Sequence, residues 1–165
     1  MILGMSLENF TLLHVVISLI GIVAGAVVVY GMFASQRMPG WTALFLVTTI
    51  LTSATGFLFP FTKLLPSHIV GIISLVVLAV AVLALYVFGW AGSWRWIYVA
   101  TAVFAFYLNC FVAVAQSFLK FPPLKQLAPT GTELPFVIAQ GLVLVIFIGL
   151  FVGAARRFRP SPASG

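Results

Sequence analysis

The two histidines, His14 and His68, are the residues of this chain whose types and positions best suit ligand chemistry. Each lies near the start of a long apolar run, and these are the first and third runs of the chain. Successive membrane spans alternate in direction, so the first and third run the same way and place both imidazoles at a similar depth. An ionisable side chain at such a depth is costly unless it has a partner or a ligand. The pair predicts a binding site near one membrane face.

One ligand that two neutral imidazoles hold between facing helices is haem b, with His14 and His68 as the axial ligands of the iron. These histidines are the metal ligands that the sequence predicts, and only for haem iron. Small residues are expected to make room for the macrocycle and lysines to receive the propionates: Ser18, Gly21 and Gly71, and Lys63 and Lys120. The sequence contains no second pair of histidines, so it predicts at most one haem group.

A quinone-like molecule is the other ligand, since it needs only an apolar slot with a few placed polar groups. Asn109, Gln116 and Lys120 follow one another at i, i+7 and i+11 on one stripe of the fourth run. Gln140 lies at a comparable depth in the fifth run. The predicted cofactor-binding residues are therefore His14, His68, Asn109, Gln116, Gln140 and Lys120.

The composition predicts an integral membrane protein. Hydrophobic residues make up 63% of the 165 residues and charged residues 6%, whereas soluble domains carry roughly a quarter charged residues. Apolar runs of this length cross a hydrocarbon core of about 30 Å as helices, and they are too long for barrel strands. We expect an all-α bundle of five transmembrane helices in one domain, residues 1–165. The predicted spans are 11–34, 42–59, 67–89, 96–118 and 135–155.

The distribution of positive charge predicts the orientation. Five arginines, Arg37, Arg95, Arg156, Arg157 and Arg159, fall on one side of the predicted spans and the three lysines on the other. The positive-inside rule then places the outer segment 1–10 outside and the Arg-rich tail 156–165 in the cytoplasm. We expect a bacterial inner membrane. The net charge of +6 is accounted for by basic residues that meet anionic lipid, so no nucleic acid partner is predicted.

The residue types exclude several classes of enzyme. The chain has no Asp, and its two acids, Glu8 and Glu133, lie outside the predicted spans. Acid–base catalysis by a carboxylate pair therefore has no residues to carry it. Nucleophile, phosphate-loop and zinc-protease motifs are also absent from the sequence. No catalytic residue is predicted, and whether the protein is an enzyme stays open.

Two other functions compete with cofactor binding. A non-catalytic accessory or assembly subunit is favoured by the small pair Gly149 and Gly153 and by the Pro-rich segment 119–134, which suit a membrane protein partner or a second copy. A small transporter is disfavoured, because the spans contain no acid and their inner halves are nearly free of polar groups. In small size, scarcity of acids and an outer polar cluster, the chain resembles in a general way small membrane subunits of bacterial respiratory chains.

Overall fold

The computed structural model describes residues 1–160, which are all-helical and contain no β-strand. A π-helical turn, Leu83–Val87, continues the third helix. The helices are α1 (Leu7–Phe33), α2 (Pro39–Gly56), α3 (Pro66–Val82), α4 (Trp94–Lys120), α5 (Pro122–Leu127) and α6 (Leu134–Arg157). Of the predicted Arg-rich tail, residues 161–165 lie outside the described part.

Four helices are long and apolar enough to cross a membrane: α1, α3 with its π-helical turn, α4 and α6. This confirms the all-helical prediction, and the apolar helices are those of a membrane protein. Helix α2, which covers most of the predicted second span, is not among the four. It has 18 residues, and its five threonines and one serine make it less apolar than the others. The five-span count and the orientation stay predictions.

Local signals in the sequence set the helix ends. The Ser6 hydroxyl accepts a hydrogen bond from the Asn9 amide at 3.2 Å and caps α1. Helices α2, α3, α5 and α6 each have proline in the first turn, where the missing N–H costs nothing. Helix α5 was not predicted, because it is a single short segment after Phe121 and not a span. The long helices begin or end up to a turn beyond the predicted spans, since backbone hydrogen bonding continues past the apolar residues.

The first four helices form a closed ring. Each contacts the next along the chain, and α4 returns to contact α1. Short connections make consecutive helices antiparallel, so α1 and α3 run the same way. Helix α6 packs outside this ring against α4 and α1. Its direction is opposite to that of α4, because Phe136 contacts Phe118 at the end of α4 while the Phe158 carbonyl accepts from Arg95 at the start.

The ring has a packed half and a hollow half. The packed half contains the C-terminal parts of α1 and α3 and the N-terminal parts of α2 and α4, where Val28, Phe45, Leu78 and Val99 are buried. A Cβ added to Gly25 would lie 2.7 Å from the Phe106 ring, so the helices there approach closely. The hollow half contains the opposite ends of the same four helices, and it encloses a cavity.

Candidate ligand-binding cavity

The cavity in the hollow half has a volume of about 570 Å³. This lies within the range of roughly 300–1,000 Å³ that is typical of small-molecule sites. Helices α1 to α4, the connection 57–65 and Phe121 supply its walls. Most of the wall is apolar, with hydroxyl, amide and imidazole groups placed among Leu, Val, Ile and Phe side chains. Such a wall suits a largely apolar ligand that has a few polar atoms.

Five of the six residues predicted to bind a cofactor line this one cavity. His14 comes from α1 and His68 from α3, and the remaining three, Asn109, Gln116 and Lys120, come from α4. Of the residues predicted to make room for a macrocycle, Ser18 and Gly71 also line it and Gly21 does not. Lys63, which was predicted to receive a propionate, does not line it. Residues that are up to 106 positions apart in the chain are brought together, because α1 and α3 begin at the end of the bundle where α4 ends.

Gln140, the sixth predicted residue, lies outside the cavity. Its Nε2 donates to the Phe111 carbonyl at 3.0 Å, between α6 and α4. Its Oε1 is buried and has no hydrogen-bond partner among residues 1–160. The predicted depth of Gln140 in the membrane suggested a place beside the histidines. The depth of a residue does not determine which way its side chain points. Helix α6 lies outside the ring, so the side chain meets only the outer surface of α4.

The hydrogen bonding of His14 determines which nitrogen carries its proton. His14 Nδ1 lies 2.8 Å from Thr55 Oγ1. The Thr55 hydroxyl itself donates to the Leu51 carbonyl at 2.6 Å, and a carbonyl can only accept. The proton of the hydroxyl is therefore committed to Leu51, and His14 must donate Nδ1–H to Thr55. In the neutral ring, Nε2 then carries a lone pair and acts as an acceptor.

The hydrogen bonding of His68 gives the opposite result. His68 is the third residue of α3, and its Nδ1 accepts the backbone N–H of Leu65 at 2.9 Å. A neutral ring that accepts at Nδ1 carries its proton at Nε2, which is therefore a donor. The ring is 5% exposed and packs against Phe57 and Phe61, at centroid distances of 5.6 Å and 4.3 Å. Helix capping and aromatic packing thus hold the imidazole in one orientation.

Helix α4 contributes amide groups and a charge. Asn109 Nδ2 donates to Thr49 Oγ1 at 3.2 Å, which fixes the amide and leaves its carbonyl oxygen available. Gln116 also lines the cavity. Lys120 is the one lining residue with a full positive charge, and no carboxylate lines the cavity in the described chain. The cavity therefore favours a ligand with oxygen acceptors.

The small residues predicted to make room for a macrocycle serve helix packing in two of three cases. A Cβ added to Gly21 would lie 3.2 Å from Thr48 Oγ1 and 3.3 Å from Asn109 Nδ2. A Cβ on Gly71 would lie 3.1 Å from the Phe57 ring. Both glycines therefore admit neighbouring side chains. Gly153 likewise receives the Phe33 ring, whereas nothing lies within 4 Å of a Cβ added to Gly149, so docking of a partner at this pair stays a prediction.

Three residues that contact the histidines of the cavity were not predicted from the sequence. Thr55 accepts a hydrogen bond from His14 and orients its ring. Phe59 packs edge-on against His14 at 5.2 Å, and Phe61 against His68. The signal was their position in the short α2–α3 connection, which must pass over the end of the ring beside both histidines.

The arrangement offers one hydrogen-bond acceptor and one donor from two different helices. His14 offers an acceptor and His68 a donor, and both open on the same volume. No group of three or more His, Cys, Asp or Glu side chains in residues 1–160 is suited to hold a metal ion. Comparison with protein-family models, with curated proteins and with solved structures found no match for this chain.

Proposed function

We propose that this protein is a membrane protein that binds a quinone-like molecule in its hollow half. The observation that carries the proposal is the opposite hydrogen-bonding character of His14 and His68 on one cavity. A quinone carbonyl accepts a hydrogen bond from His68 Nε2–H, and a quinol hydroxyl donates to the His14 Nε2 lone pair. Gln116 supplies a further amide donor, and the apolar wall receives the ring and the start of the tail.

Haem b is the second candidate, and the same hydrogen bonds make it the less favoured one. A histidine that ligates iron through Nε2 normally donates Nδ1–H to an acceptor. His14 meets this condition through Thr55. His68 does not, because its Nδ1 accepts from Leu65. Gly21 does not line the cavity and packs against Thr48 and Asn109, so it makes no room for a macrocycle there. Haem would therefore be held through a single axial histidine, His14.

We propose that α2 completes a bundle of five spans in one domain. Its 18 residues extend about 27 Å, close to the thickness of a hydrocarbon core. Hydroxyl groups within it are satisfied inside the helix, as for Thr48 with the Leu44 carbonyl and Thr52 with the Thr48 carbonyl. This removes most of the cost of burying them. Helix α2 also lies between α1 and α3, so it shares their depth.

The proposed orientation places the hollow half toward the outside of a bacterial inner membrane. The five arginines lie at or after the ends of helices in the packed half, with Arg37 after α1 and Arg95 at the start of α4. Lys63, Lys120 and Lys125 lie at the other end. The positive-inside rule turns the arginine end toward the cytoplasm. The proposed quinone site is then in the outer leaflet.

The packed half argues against a transport function. Tyr98 and Phe45 are almost completely buried there, and Phe106 fills the space opposite Gly25. A water-filled path needs polar lining along its whole length, and this half supplies apolar side chains in close contact. An accessory role in a larger complex is compatible with quinone binding and forms the alternative if no ligand is found.

The proposal can be tested on protein purified from membranes in a mild detergent. The lipid extract is analysed for quinones, an absorption spectrum reports any haem, and a short-chain ubiquinone analogue serves as the titrated probe. We expect bound quinone and a weakening of probe binding by about tenfold in His14→Gln and His68→Gln. Gln at position 68 can still accept the Leu65 amide, as in a capping box, so the helix start is kept. Thr101→Val, in α4 away from the cavity, is the control.

Two results would decide against the proposal. A colourless preparation without quinone, in which both His variants bind the probe as well as the parent protein, would leave only the accessory role. A Soret band that disappears in His14→Gln but persists in His68→Gln would establish haem with one axial histidine instead. Melting temperature, measured on every variant, separates loss of binding from loss of folding.

A further inference from the structure

A second cavity, of about 200 Å³, lies at the arginine end of the packed half. It is smaller than the range of roughly 300–1,000 Å³ that is typical of small-molecule sites, so it fits only a compact group. Its lining includes Gln36 and Arg37 from the α1–α2 connection, Tyr86 from the π-helical turn and Trp90 from the connection that leads to α4. It is separated from the first cavity by the buried core of the ring.

The backbone around Trp90 is unusual. A π-helical turn, Leu83–Val87, precedes it, and Trp90 itself has a φ of 63° in the left-handed region that non-glycine residues rarely adopt. Such strain persists only where the surroundings hold it, and it is often found at binding sites. Here the ring packs edge-on against Phe158 at 5.3 Å and near Tyr98 at 5.7 Å.

Trp90 and Arg37 together form a site for an anion. The Arg37 guanidinium lies over the Trp90 ring, 4.6 Å from its centroid, which orients its donors beside the cavity. The indole N–H of Trp90 is buried and has no hydrogen-bond partner in residues 1–160. Both acids of the chain, Glu8 and Glu133, lie at the opposite end of the bundle. Among residues 1–160, the charge of Arg37 is therefore not balanced by a carboxylate.

The surroundings of the cavity indicate where the anion comes from. Tyr86 lines the cavity and is also 60% exposed, so the cavity opens to the outer surface of the bundle. Tyr30, at the same end, is 66% exposed. Tyrosine rings in such positions lie at the headgroup level of a bilayer. Val87 and Phe88 beside them offer an exposed apolar surface for acyl chains.

We infer that this second cavity binds the phosphate headgroup of an anionic phospholipid, with Arg37 as the main contact. Guanidinium groups bind phosphate through paired, charge-assisted hydrogen bonds. Phosphate oxygens also supply the acceptor that the Trp90 indole lacks. The cation–π contact holds the Arg37 side chain in place before the lipid arrives, which reduces the entropy lost on binding. This site is independent of the proposed quinone site.

Native mass spectrometry of the full chain in detergent can test the inference. The probes are phosphatidylglycerol, phosphatidylcholine and inorganic phosphate, each added separately. We expect one phosphatidylglycerol to bind in preference to phosphatidylcholine, and Arg37→Gln to weaken it about tenfold. Arg37→Lys keeps the charge but loses the paired donors, so an intermediate loss is expected. Arg156→Gln removes an exposed arginine at the same end that does not line the cavity, and it is expected to have little effect.

Several outcomes would overturn the inference. Equal losses in Arg37→Gln and Arg156→Gln would mean that the lipid responds to surface charge in general. Binding of inorganic phosphate that depends on Arg37, without binding of phosphatidylglycerol, would make the site one for a free anion. Trp90→Phe keeps the ring and removes the indole N–H, so it measures the contribution of that donor if Arg37 variants fold poorly. Unchanged lipid binding in Trp90→Phe and in Arg37→Lys would exclude the proposed contacts.

Discussion

His14 Nδ1 and Thr55 Oγ1 lie 2.8 Å apart, in a hydrogen bond that joins α1 to α2 and leaves His14 Nε2 as an acceptor. Thr55 in turn donates to the Leu51 carbonyl, so the imidazole, the hydroxyl and the carbonyl form a chain with one direction. The chemistry that His14 can offer a ligand is therefore determined by a residue that does not line the cavity.

Replacing Thr55 by Val tests this relationship. The side chains have similar shapes, but valine gives His14 no acceptor, so the ring can rotate and lose its orientation. We expect binding of a short-chain quinone analogue to weaken by about tenfold, with little change in melting temperature. Thr101→Val is the matched control, since Thr101 also donates within its own helix, to the Ile97 carbonyl. Equal effects of the two substitutions would show that Thr55 does not act through His14.

The two glutamines are expected to behave differently under the same substitution. Gln116→Leu removes an amide that lines the cavity, so ligand binding should fall severalfold. Gln140→Leu removes a side chain outside the cavity, and it also removes the buried Oε1 that has no partner in the described chain. We expect normal ligand binding in Gln140→Leu and at most a small change in stability. Loss of binding in Gln140→Leu alone would place the ligand between α4 and α6.

His68 has a structural role that can be separated from binding. His68→Phe keeps the aromatic packing with Phe57 and Phe61 but leaves the Leu65 amide without its acceptor. We expect it to lower the free energy of unfolding by about 1–2 kcal/mol. His68→Gln can restore the acceptor and should be closer to the parent protein. Thermal unfolding in detergent measures both, and equal stability of the two variants would contradict the capping role.

The close approach of helices in the packed half predicts a contrast between two glycines. A side chain on Gly25 meets the Phe106 ring, whereas nothing lies within 4 Å of a Cβ added to Gly141. Gly25→Leu should therefore destabilise the protein by about 1–3 kcal/mol, or more if the helices separate. Gly141→Leu adds the same atoms to the open face of α6 and should be tolerated. Similar melting temperatures for the two variants would show that α1 and α4 are not in contact at Gly25.

The stability of the turn that precedes α6 is expected to depend on pH. Hydrogen bonds from the Thr130 hydroxyl and from backbone amides lower the pKa of the exposed Glu133 carboxyl from its ordinary value of 4.5 to about 2. The charged form therefore stabilises the turn above pH 4.5, and this contribution is lost as the pH falls toward 2. The protection of the Thr132 amide against hydrogen exchange, relative to the intrinsic rate at each pH, should fall across that window. Glu133→Gln should show fast exchange at neutral pH, and no difference from the parent protein would exclude the turn.

Much of the fold could be predicted from the sequence because the bilayer imposes it. Apolar runs of sufficient length indicate helices, and alternation of direction brings the starts of the first and third helices to one end. Helix α2 is the difficult case, since its threonines lower its hydropathy while their hydrogen bonds remain inside the helix. A mean hydropathy includes the hydroxyl groups as polar, but it does not show that their hydrogen bonds are formed within the helix.

The sequence predicted most of the polar residues that line the cavity, but not the hydrogen bonds that they make. Depth and helical spacing were sufficient for His14, His68 and the stripe on α4, because these helices face one another in the ring. They were not sufficient for Gln140, since whether α6 lies in the ring or outside it depends on packing between helices distant in sequence. The tautomers of both histidines depend on Thr55 and on the Leu65 amide, and no spacing rule predicts such contacts.

The close packing opposite the cavity has a consequence for the membrane in which the protein lies. On the proposed function, a quinone-like molecule enters and leaves the hollow half while the close-packed core beside it stays shut. Exchange of that molecule would then leave the ion and proton gradients across the bilayer intact without a moving gate, because the barrier is formed by side chains already in contact.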